Sequence, residues 1–133
     1  MDNKQEFFEK AKKISEEIVN VVGQPDFTEE LERQIFGAFV FGIINALAHE
    51  KKVMPIEVQA VMIEISVNTL QYTPNQAVEF CQYLINCTDK EYNPTTYAII
   101  HKGIDGYFQL EESKSEELAN NYNEITTVVN ETV

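Results

Sequence analysis

Residues 35–49 read IFGAFVFGIINALAH, and no other stretch of the chain constrains the fold as strongly. At 100° per residue a helix puts Phe36, Val40, Ile43 and Leu47 on one side, flanked by Phe39 and Ile44. Ala38, Gly42 and Ala46 recur every four residues on the other side, beside Asn45 and His49. The large side chains require a core. The small ones let a second helix approach closely. Glycine inside a helix costs about 0.5–1 kcal/mol relative to alanine, so Gly37 and Gly42 imply a packing reason. The uncharged run from Gln34 to Ala48 is short for a membrane span and is closely flanked by charge. A buried central helix is therefore expected.

Working outward, residues 2–22 read as a first helix, with Phe7, Ala11, Ile14, Ile18 and Val21 at helical spacing. Gly23 and Pro25 stop it. Asp26 or Thr28 is positioned to cap the second helix, which runs to about Glu50. Pro55 opens a third helix reaching about Gln71. That helix has two apolar sides, Ile56/Ala60/Ile63/Val67/Leu70 and Val58/Val61/Met62/Ile65, which predicts that it is sandwiched between others. Between the two lies a strip of Glu57, Glu64, Asn68 and Gln71. Thr73-Pro74 and Asn93-Pro94 each pair a cap with a first-turn proline and open helices four and five, which run to about Cys87 and Leu110. In helix five Tyr97, Ile100, Ile104, Tyr107 and Phe108 are expected inward. Ser115–Val129 forms a sixth helix with one stripe, Leu118, Tyr122, Ile125 and Val129. There is no repeat, no sustained strand alternation and no linker long enough for a second domain. The expected fold is all-α: one compact bundle of five to six helices over residues 1–133, with helices two and three central.

The composition narrows function. A net charge of −12 argues against a nucleic-acid partner and favours a basic one. From Val53 to Asp89 the chain carries Glu57, Glu64, Glu79 and Asp89 and no Lys or Arg. From Gly103 onward seven acids face Lys114 alone. The first ten residues lack an apolar signal core, so a cytoplasmic location without membrane association is expected. Cys81 and Cys87, six apart, point in different directions on a helix and read as free buried thiols.

No catalytic constellation stands out. His49-Glu50 begins like the zinc motif HExxH, but position 53 is Val53. No Glu is followed three residues later by His, so the di-iron bundle pattern is absent. Glu57 and Glu64 share a helix side, and paired carboxylates can serve as acid and base. A solvated or partner-binding strip is the simpler reading. Neither cysteine has a cationic neighbour to activate it, and there is no phosphate-binding loop. No metal or cofactor is expected. Tyr83, predicted outward, joins Glu57, Glu64, Asn68 and Glu79 as the candidate partner-binding set, because tyrosine supplies contact area while acids steer a basic partner.

The Ile35–His49 helix, the Val53–Gln71 helix and the Tyr97–Phe108 segment with its Gly-Ile-Asp-Gly together resemble the small, acidic, all-helical immunity proteins of bacterial polymorphic-toxin systems. The resemblance covers most of the chain. It implies a non-enzymatic cytosolic protein that binds a cognate toxin, which the charge suggests is basic, and occludes its active site. Locally, Ala48–Glu57 is similar to the interhelical turn of tellurite-resistance TerB-like domains. His49 and Glu50 stand where that family has Asp-Gly, and only Glu57 matches its downstream acid. The likeness therefore implies kinship of fold without a metal site. The alternative is a regulatory or scaffold helical domain acting through self-association, and the sequence leaves oligomeric state open.

Overall fold

The computed structural model describes residues 3–132, which form six helices. These are α1 (Asn3–Val22), α2 (Glu30–Lys51), α3 (Pro55–Asn68), α4 (Pro74–Asn86), α5 (Pro94–Glu111) and α6 (Ser115–Thr132). No strand occurs among the described residues. The expected start of the first helix at Asp2 lies outside them.

Local chemistry explains most of the boundaries. Thr73 and Gln76 form a reciprocal capping box at α4, and the Asn93 side chain accepts the Thr96 N–H at 3.0 Å to cap α5. Three ends differ from expectation. Helix α6 runs to Thr132 instead of Val129. Neither Asp26 nor Thr28 caps α2. The Asp26 carboxylate instead accepts the N–H and hydroxyl of Thr28, at 3.0 and 2.6 Å, and so closes a turn ahead of the helix. Helix α3 stops at Asn68 rather than Gln71, because the chain reverses through Gln71 at a φ of 66°.

Helix α2 runs through the middle of the bundle. Residues Ile35 to Ile44 are all buried, so both sides of the helix are covered. By length and composition alone α2 could cross a membrane, but 67% of its most apolar window is enclosed by the other helices. Its large side meets an aromatic cluster. The Phe36 ring lies 5.2 Å from Phe27 and 6.3 Å from Tyr122, and Phe39 lies 5.3 Å from Tyr122, all edge to face. Each such side chain stabilises the fold by roughly 1.5–3 kcal/mol through burial.

The small side receives α5. A Cβ built on Gly42 would lie 1.9 Å from the Ile100 carbonyl oxygen, and one on Gly103 would lie 2.1 Å from that of Phe39. The two backbones thus touch where both helices carry glycine. The close crossing expected from Ala38/Gly42/Ala46 exists, and α5 is the helix that fills it. Helix α3 packs against α1, α2 and α4, while α6 packs on α5 and α1, but α3 is not covered on both apolar sides as expected. One of its two apolar sides is buried, through Val58, Val61, Met62 and Ile65. The other faces largely outward: Ile56 and Ala60 are exposed, and Ile63 and Val67 are half-buried. Phe108, expected inward, is 55% exposed, because α5 turns its Gly103–Gly106 side to α2.

Candidate partner-binding surface

The acidic strip of α3 faces α1. Glu57 pairs with Lys4 at 3.6 Å and Glu64 with Lys12 at 3.2 Å. The pairs run in step along both chains, so α1 and α3 point the same way. The strip is therefore a charged seam between two helices, with its acids partly shielded. Asn68 continues the line and is exposed. Lys12 also lies over the Phe8 ring, 5.2 Å from its centroid, which helps hold the ammonium at the seam.

Glu79 is exposed on α4. Tyr83, four residues on, is half-buried instead of outward. Its hydroxyl lies 2.9 Å from the Thr96 hydroxyl and accepts from the Asn93 side-chain amide at 3.1 Å. Its ring lies between Phe80 and Tyr92. Tyr83 thus fastens α4 to the cap of α5, and burial pushes its phenol above the ordinary tyrosine value. The freely exposed aromatic nearby is Tyr92, at 56%. The candidate set falls into two groups: Glu57, Glu64 and Asn68 on one line of α3, and Glu79 with Tyr83 on α4.

Sequence reasoning missed the outward apolar side of α3. Met54 and Ile56 are 65% and 66% exposed. Beside Ile56 a groove of about 340 Å³ opens between α3 and α4, lined by Phe41, Asn45, Met62 and Ile85 among others. The repeat Ile56–Ala60–Ile63–Val67 was the available signal.

The reactive side chains have structural partners. The Tyr107 hydroxyl donates to Glu50, tying α5 to the end of α2. Asn45 donates to the Phe41 carbonyl at 2.7 Å, back along its own helix. His101 packs on Tyr97, ring centroids 4.3 Å apart. Burial pushes the Cys81 thiol up to about 11 and raises Cys87 as well, the opposite of activation. Among the described residues no group of three or more His, Cys, Asp or Glu could hold a metal ion.

The sequence model of the family described as Immunity protein 48 matches residues 7–130, from the first turns of α1 into the end of α6. The chain belongs to the Immunity protein 48 family. No curated protein and no solved structure matches it. Membership in the Immunity protein 48 family gives the chain the general role of binding and neutralising a cognate toxin. For such a role the relevant chemistry is that of a surface, and the α3 seam, the outer side of α4 and the apolar stripe of α3 are among the surfaces the structure exposes.

Proposed function

We propose that residues 1–133 act as one non-enzymatic, cytoplasmic binding unit that neutralises a basic toxin domain by covering its active site. Family membership carries this reading. The charge supports the basic partner: −12 overall, with no Lys or Arg from Val53 to Asp89. The docking side would include Glu57, Glu64 and Asn68 of α3 and Glu79 and Tyr83 of α4. The acids would speed encounter with a cationic cleft such as a nuclease's, and buried contact would set the lifetime of the complex. Glu57 and Glu64 would exchange Lys4 and Lys12 for cations of the toxin. Exposed ion pairs are worth only about 0–1 kcal/mol, so the exchange opposes binding little.

The test is to mix the purified protein with the toxin domain encoded beside it and measure complex formation and residual toxin activity. The triple variant Glu57→Lys, Glu64→Lys, Glu79→Lys is expected to associate more slowly, most of all at low salt. Unchanged association would remove this surface from the interface. A wild-type protein that neither binds nor inhibits the toxin would remove the immunity role.

A further inference from the structure

Ile56, Ala60, Ile63 and Val67 follow one another at spacings of four, three and four, which places them along one side of α3. Among the described residues no other helix covers that side at its N-terminal half, where Ile56 is 66% exposed and Ala60 is exposed. Met54 extends the apolar surface ahead of Pro55, and Ile85 of α4 borders the groove beyond Ile56. Single exposed apolar residues are ordinary, whereas several gathered beside a groove mark an interaction site. The spacing is that of the apolar stripe a helix turns toward a packing partner, and Ala60 at its middle leaves room for another helix to come close.

Charge selects the occupant. The stripe lies in the segment that has four acids and no Lys or Arg, with Glu57 and Glu64 along its α1 side. A second copy of this chain, itself at −12, would bring the same acids against these. An amphipathic helix with apolar side chains between lysines or arginines complements both features. We infer that the α3 stripe and the adjoining groove are the apolar anchor of the toxin interface and receive a basic-flanked amphipathic helix of the toxin domain. The inference rests on the immunity reading and divides the labour within it: the acids steer, and the stripe holds.

The variants Ala60→Arg and Ile56→Ser alter exposed positions and leave the core untouched. Against an inactivated toxin domain encoded beside this chain, Ala60→Arg is expected to weaken affinity at least about thirtyfold, mainly through faster dissociation. Ile56→Ser is expected to act in the same direction. Val128→Ser, at a 58% exposed apolar position of α6, serves as the control and should bind like wild type. A wild-type complex that Ala60→Arg forms equally well overturns the anchor and leaves the immunity role standing. No complex with the wild type, together with no inhibition of the active toxin domain, overturns both. A homodimer of the free protein that Ala60→Arg dissolves gives the stripe to a second copy and also overturns the proposal.

Discussion

Gly42 of α2 and Gly103 of α5 meet backbone to backbone: a methyl group on either would lie about 2 Å from a carbonyl oxygen of the opposite helix, 1.9 Å in one direction and 2.1 Å in the other. A carbonyl in the middle of a helix cannot swing aside, so a side chain here forces the helices apart. Gly42→Ala gains up to about 1 kcal/mol of helix propensity. It loses more through the forced separation, and a net destabilisation of about 2–3 kcal/mol is expected in urea denaturation. Gly37→Ala meets side chains and no backbone, the edge of the Phe80 ring at 2.5 Å and a Leu70 methyl at 3.3 Å, and these can shift where a helix carbonyl cannot. Its penalty should be clearly smaller, and equal penalties would refute the backbone argument.

The same crossing shows what the sequence alone could and could not tell. The Ala38/Gly42/Ala46 strip announced a close approach, because periodicity within one helix fixes which residues share a side. It did not name the approaching helix, since matching Gly42 to Gly103 requires the relative placement of two helices. The caps at Thr73 and Asn93 were legible because capping is local. Tyr83 was not, because its hydroxyl is claimed by Thr96 and Asn93 across a turn. Glu57 and Glu64 were correctly placed on one line, but their lysine partners sit about fifty residues away on α1. The outward apolar side of α3 reads as core in the sequence, because nothing in a single helix distinguishes a covered stripe from an uncovered one.

Acid should loosen the junction at the start of α2. The Tyr72 hydroxyl donates to Glu30 at 2.7 Å, while Arg33 pairs with Glu30 at 2.6 Å and lies over the Tyr72 ring at 4.2 Å. Partial burial pushes the Glu30 carboxyl up, but the hydrogen bonds from Tyr72, Arg33 and Gln34 outweigh it and hold the group below its ordinary 4.5. A depressed acid contributes stability above its unfolded value and loses it as pH falls through the folded one. Tyr72→Phe should therefore cost about 1 kcal/mol at neutral pH. The gap from wild type should shrink as pH drops below about 4.5. A gap independent of pH would show that the hydroxyl does not act through Glu30.

Alkali should act through the tyrosines. Burial raises the phenols of Tyr72, Tyr83, Tyr107 and Tyr122, four of the six in the chain, and Glu30 and Glu50 add to the effect at Tyr72 and Tyr107. A raised folded value means that the native state keeps protons that the unfolded chain releases. Stability is then lost as pH rises beyond about 10. Tyrosinate absorbance is expected to appear in two stages, the later one coinciding with loss of helical circular dichroism. A single stage completed while the helices remain intact would contradict the burial of these four rings.

The thiols give a simpler probe of the same core. Cys81 is 2% exposed and Cys87 fully buried, and both are pushed away from the reactive thiolate. At neutral pH neither should react with a disulfide reagent in the native protein, and two equivalents should react once it is denatured. Rapid labelling of Cys81 without denaturant would mean that the groove floor between α3 and α4 opens readily.

The lysines of α1 offer a way to test steering without touching a single acid. Lys4 and Lys12 neutralise Glu57 and Glu64 in the free protein. Both pairs are substantially exposed at the lysine, so removing them should change stability by less than about 1 kcal/mol. The double variant Lys4→Ala, Lys12→Ala takes the net charge from −12 to −14 and leaves the two carboxylates unpaired beside the α3 stripe. If these acids draw in a basic toxin domain, association should become faster, several-fold at low ionic strength and little at high salt, where screening shortens the reach of the field. Dissociation should change less if, as inferred above, the apolar α3 stripe holds the complex. Stopped-flow association at two salt concentrations separates the cases: acceleration that vanishes with salt supports steering by Glu57 and Glu64. Slower association would mean that the lysines themselves contact the toxin and that the seam belongs to the interface through its cations.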